Sequence, residues 1–112
     1  MKLLLSKAWS SFEADKRIEG FSQQTLMAYQ LQSLLLIGYF KDVEIELLDS
    51  NQLKEYLAKS CKHLKAASLA HRIRFLRSFF CWSHEEEYLS KNPTFKRDIF
   101  DATSNNKSIY YM

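Results

Sequence analysis

The sequence predicts an all-α protein, a compact bundle of four helices, or five if the tail adds a short one. Three observations carry that expectation. The chain of 112 residues holds two glycines and one proline, too few for the many turns that β-rich folds need. Apolar residues recur at helical spacing through most of its length. One stretch, Lys65–Pro93, reads as a single helix of about 22 residues, roughly 33 Å long. A chain of this length has room for one domain with one core.

In order along the chain, Leu5, Ala8, Trp9 and Phe12 mark a first amphipathic helix from about Leu4 to Ile18, with Gly20 suited to the position just past its end. Ser22 has the form of an N-cap for a second helix, with Gln23 and Gln24 in its first turn. Leu26, Tyr29, Leu36 and Ile37 make one face of that helix, and Met27, Leu31 and Leu34 another. Two apolar faces predict packing on more than one neighbour, and Gly38 is the expected end. Val43, Ile45 and Leu47 then alternate with Asp42, Glu44 and Glu46. Alternation is a strand signal, but no second strand exists to pair with it, so an extended loop pinned by its apolar side chains is expected. Asp49 and Gln52 form a capping box for a third helix carrying Leu53, Tyr56, Leu57, Cys61 and Leu64.

The fourth and longest helix is the expected centre of the core. Leu69, Ile73, Leu76 and Phe80 line one side, and Phe75, Phe79 and Trp82 widen the apolar arc, with Phe75 and Trp82 at its edges and open to exposure. Pro93 cannot continue a helix and disfavours the helical region at Asn92, which sets the expected stop. The division expected is a packed unit over residues 1–93 and a linker or tail over 94–112, with at most one helical turn near Arg97–Ala102.

Net charge is +3, with the positive charge concentrated in the middle of the chain. Lys54, Lys59, Lys62, Lys65, Arg72, Arg74 and Arg77 face only Glu55 in that interval, while Asp42, Glu44, Glu46 and Asp49 gather before it. The opening MKLLLSKAW has no apolar run of signal-peptide length, no segment is long enough to span a membrane, and two cysteines fit a reducing compartment. The expected location is the cytoplasm.

Enzyme chemistry finds little support. Cys61, His63, His71, Cys81 and His84 could supply metal ligands in number, but their spacing fits no familiar zinc site, so neither metal nor cofactor is expected. Glu85, Glu86 and Glu87 fan around the helix rather than converge. There is no phosphate-cradling glycine loop and no framed nucleophile–base pair. No catalytic residue and no small-molecule substrate are therefore expected.

Nucleic acid is where the residues agree. Ser22, Gln23, Gln24 and Thr25 open the second helix, an end whose N–H groups attract phosphate, and glutamine can pair with adenine edges. Lys65, Ser68, His71, Arg72 and Arg74 lie on or beside the polar arc of the fourth helix. Together these nine residues are the candidate contacts to double-stranded DNA, the cations for phosphates and the amides and hydroxyls for bases. Plainer readings stand beside this one. Ser22 and Thr25 serve equally as caps, Arg72 falls at the core margin between Leu76 and Phe79, Arg77 suits a structural ion pair, and the basic arc reads also as a solvated helix face. A helical protein–protein interaction module without DNA contact is the alternative function.

Three runs in order resemble a known family. They are Ser22-x-x-Thr25-Leu26-x-x-Tyr29, then Asp49-x-x-Gln52-Leu53-x-x-Tyr56-Leu57, then Ile73-x-x-Leu76-Arg77-x-Phe79-Phe80-x-Trp82 followed by Asn92-Pro93. The pattern, over about Leu3 to Pro93, resembles the N-terminal core-binding, SAM-like domain of the tyrosine recombinases, or phage integrases. Ser33, where the family usually has a large apolar residue, and Glu87-Tyr88, in place of a glycine-containing turn, depart from it. The resemblance implies a module that grips the recombination site with its second and fourth helices toward the major groove and meets neighbouring recombinase subunits on DNA. It also implies that cleavage belongs to a separate catalytic domain. Tyr110 and Tyr111 lack the framework of its nucleophile and receive no catalytic role.

Overall fold

The computed structural model describes residues 3–94, with residues 60 and 61 described in backbone only. Four α-helices follow one another: α1 (Leu5–Ile18), α2 (Gln23–Phe40), α3 (Ser50–Cys61) and α4 (Ala66–Glu85), with a 3₁₀ turn, Ile45–Leu47, between α2 and α3. The expected tail turn at Arg97–Ala102, Tyr110 and Tyr111, and the Cys61 side chain lie outside the described residues.

The helices close around α4, which packs against each of the other three. Its Phe75, Leu76, Phe79 and Phe80 are fully enclosed, together with Leu5 and Phe12 of α1, Leu36 of α2, and Leu53 and Leu57 of α3. Phe12 is the meeting point of the rings. Its centroid lies 5.3 Å from Phe79, 5.4 Å from Trp82, 5.8 Å from Trp9, 6.0 Å from Tyr29 and 6.3 Å from Phe75. The pairs with Phe75, Phe79 and Trp82 are edge-on, the geometry that ring quadrupoles favour. Phe75 and Trp82 are thus 0% and 6% exposed, not open at the edge of the arc. α1 covers them, and the Trp82 indole N–H donates to Asp15 of α1 at 2.9 Å.

Helix ends follow local chemistry. Gly20 ends α1 at φ 95°, and Phe21 and Gly20 donate back to the carbonyls of Lys16 and Arg17, a Schellman closure that glycine adopts without steric cost. Gly38 does not end α2. The helix runs on to Phe40 because Tyr39 and Phe40 pack on Tyr56, 4.9 and 5.7 Å between centroids, and Lys41 takes the left-handed turn at φ 71°. α4 stops at Glu85, well before Pro93. Glu87 sits at φ 68°, and Tyr88 and Glu87 donate to the carbonyls of Ser83 and His84. A glutamate therefore fills the left-handed position where glycine is usual.

The expected extended loop is tied down by polar groups as well as apolar ones. Leu4 and Glu44 form an isolated antiparallel bridge, and Ile45 and Leu48 are buried. Asp42 accepts from the Ser6 backbone N–H at 2.8 Å and from the Ser6 hydroxyl at 2.6 Å, so a carboxylate distant in sequence caps α1, whose own N-cap residue Leu4 has no oxygen to offer. Glu46 accepts from the backbone and hydroxyl of Ser90, and Asp49 and Gln52 complete the expected capping box at 2.8 and 3.0 Å. Beyond α4 the chain stays packed through Thr94, which is buried and donates to Asn92, while Ser50 donates to the Pro93 carbonyl.

One face of α2 departs from expectation. Met27, Leu31 and Leu34 are 59%, 55% and 59% exposed rather than packed on a second neighbour. The buried side of α2 is that of Leu26, Ser33 and Leu36, and Ser33 fits there because its hydroxyl donates to the Gln30 carbonyl at 2.7 Å.

Candidate nucleic-acid interface

The start of α2 and the first half of α4 lie side by side. Gln24, Thr25, Ala28, Tyr29 and Gln32 from α2 and His71 and Arg74 from α4 line a groove of about 370 Å³. No carboxylate lines it. Tyr29 forms part of its floor because its ring is held against Phe12 and Phe75 in the core. Arg74 Nη1 lies 3.3 Å from His71 Nδ1.

The nine sequence candidates divide into groups. Gln24, Thr25, His71 and Arg74 are brought together in the groove. Ser22 caps α2: its oxygen accepts the Thr25 N–H at 3.1 Å and its hydroxyl donates to the Thr25 hydroxyl at 2.9 Å, so both hydroxyls work within the turn. Gln23 is exposed in that same turn. Lys65 is the N-cap residue of α4 and makes no side-chain cap bond, and Ser68 is exposed in the following turn. Both stand outside the groove lining. Arg72 is half-buried; its Nε donates to Gln32 Oε1 at 3.2 Å and its guanidinium lies 5.4 Å from the Tyr56 ring centroid.

The Gln32–Arg72 pair forms a divider, and beyond it a second groove of about 450 Å³ opens between α2, α3 and α4. Leu35, Tyr39, Tyr56, Lys59, His63, Leu64 and Arg72 line it. The Lys59 ammonium lies 5.5 Å from the Tyr39 ring, and its pKa is raised, first by a hydrogen bond with Tyr39 and then by the charges of Tyr39 and Glu55. Burial pushes the Tyr56 phenol up, while the Arg72 charge opposes that shift. Lys59 and His63 were not among the sequence candidates. The available signal was Tyr56 and Lys59 three residues apart on α3, which share one side of a helix.

Elsewhere the titratable groups have local explanations. The Cys81 thiol is pushed up, first by burial and then by neighbouring Glu85, whose Oε2 lies 3.7 Å away. Among the described residues no group of three or more histidine, cysteine or acidic side chains is placed to hold a metal ion, and no helix is long and apolar enough to cross a membrane. A third groove, near Leu89–Pro93, carries Glu46 and Asp49 together with Lys91.

The family model for the phage integrase N-terminal SAM-like domain matches residues 13–87, an interval that contains α2, α3 and α4 whole and the last six residues of α1. No curated protein and no solved structure matches the chain.

Proposed function

Since the chain belongs to the phage integrase N-terminal SAM-like domain family, we propose that it is the duplex-gripping module of a tyrosine recombinase, holding the recombination site while another domain cuts and rejoins the strands. The observation that carries this reading is the carboxylate-free groove in which Gln24 and Thr25 meet His71 and Arg74. Amides and hydroxyls that can pair with base edges stand beside a guanidinium and an imidazole that can pair with phosphates, on two helices that share one surface. Lys59 extends the cationic track past the Arg72 divider, with the His63 imidazole beside it, and Lys65 and Ser68 flank it on the first turn of α4. The chain itself supplies no catalytic group in this reading. It works in the cytoplasm on double-stranded DNA, beside neighbouring recombinase subunits.

The test is duplex binding by the full chain, followed by fluorescence anisotropy as salt is raised. The logarithm of the binding constant should fall with the logarithm of salt by about 0.9 for each phosphate contacted. Replacing Arg74 and Lys59 by alanine should lower that slope by about one contact each while the helical circular-dichroism signal is unchanged. Absence of binding at low salt, or a slope indifferent to both changes, would overturn the reading.

A further inference from the structure

α2 contains no aspartate, glutamate, lysine or arginine in all 18 residues, and its outward side is apolar. Met27, Leu31 and Leu34 are more than half exposed, and Leu35 and Tyr39 are exposed beside them. Together they leave several hundred Å² of contiguous apolar surface, near the upper end of the roughly 300–600 Å² that monomers display. Met27, Leu31 and Leu34 lie on a different arc of α2 from the groove side chains Thr25 and Gln32, whereas Leu35 and Tyr39 at the edge of the strip also line the second groove.

Its spacing carries more information than its area. Met27, Leu31, Leu34 and Gly38 follow one another at intervals of four, three and four residues. That is the seam spacing of one helix laid along another, and at 3.6 residues per turn the four positions fall within about 60° of arc. The strip is also self-complementary. When α2 meets a second α2 antiparallel about a two-fold axis between Gln32 and Ser33, Leu31 falls opposite Leu34 and Met27 falls opposite Gly38. A long, flexible side chain then faces a residue with no side chain, and nothing lies within 4 Å of the place a Cβ would occupy there. A two-fold contact brings each charge near its own copy. On a chain of net charge +3, the one helix among the described residues that carries no charge is where two copies approach with least repulsion.

We propose that the outer face of α2 is a homotypic docking surface, occupied by the same face of a second copy of this chain in antiparallel register. A standard interface buries about 800 Å² per partner, and this strip offers less, so the dimer is weak, with a dissociation constant on the order of 100 µM. Such a contact counts chiefly when two copies are already held near each other, where the effective concentration reaches the millimolar range.

Sedimentation equilibrium of the full chain without DNA, from about 5 µM to 1 mM, brackets that constant. The parent should pass from monomer toward dimer and stop there. Leu31→Glu with Leu34→Glu should stay monomeric throughout with the helical signal intact, since both side chains are exposed. Leu31→Glu with Leu34→Lys places opposite charges face to face in the antiparallel register, and like charges face to face in a parallel one. It should therefore dimerise at least tenfold more tightly than the double glutamate variant, and less so at high salt. A parent that is monomeric at 1 mM, a double glutamate variant that associates like the parent, or a Glu/Lys variant no better than Glu/Glu would each overturn the proposal.

Discussion

Arg72 and Arg74 are two residues apart on α4, yet the geometry gives them different work, and one pair of substitutions separates the two roles. Arg72 donates to Gln32 at 3.2 Å and lies 5.4 Å from the Tyr56 ring. A hydrogen bond from a charged donor contributes about 1.5–3 kcal/mol and a cation–π contact about 0.5–2 kcal/mol. Arg72 is only half-buried, so the lower ends apply and Arg72→Ala should cost about 2 kcal/mol. With a urea dependence near 2 kcal/mol per molar, that is a fall of about 1 M in the unfolding midpoint. Arg74 is exposed and its Nη1 lies 3.3 Å from His71 Nδ1, an exposed neighbour on the same helix, so Arg74→Ala should change stability by less than about 0.5 kcal/mol. Its effect belongs in the DNA titration, where the salt slope should shrink by about 0.9. Equal urea midpoints for the two variants, or an Arg74→Ala slope equal to the parent's, would refute the assignment of one arginine to the fold and the other to the ligand.

Other changes test how the helix ends are held. Asp42→Ala should destabilise by about 1–2 kcal/mol through loss of the distant cap on α1, and a urea double-mutant cycle with Ser6→Ala should show coupling rather than additivity. Glu87→Gly should raise the thermal midpoint, gaining up to about 1 kcal/mol by relieving a left-handed glutamate; a lower midpoint would refute that. The Tyr56 phenol titrates above its ordinary value of 10.0 in the folded chain because burial disfavours its charged form. The unfolded chain therefore releases that proton first, and stability should fall as pH rises from about 10 toward the folded value. Urea midpoints at increasing alkaline pH measure this, and Tyr56→Phe should lessen the fall.

Much of this was legible in one dimension. The four helices, the Gly20 closure, the Ser22 cap and the Asp49–Gln52 box each depend on residues within a few positions of one another, and local pattern carries them. What escaped depends on which neighbour arrives. Phe75 and Trp82 looked marginal on α4 alone and are covered because α1 brings Phe12 and Asp15 to them. The Met27–Leu31–Leu34 face looked packed and is open, since periodicity marks an apolar face without saying whether anything within the chain covers it. Gly38 and Pro93 are local stop signals overridden by packing of Tyr39 and Phe40 and by the Glu87 turn. Of the candidate site, the α2 and α4 residues could be paired from the sequence, whereas Lys59 and His63 join through the fold of α3 against α4.

The convergence of five rings on Phe12 makes α1 a keystone for a groove that α1 does not line. Tyr29 floors that groove, and it is pressed into place from behind by Phe12. A chain trimmed to begin after Ile18 would keep every groove residue and lose the surface they form. Heating the intact chain should accordingly give one transition, with the groove and the aromatic cluster melting together.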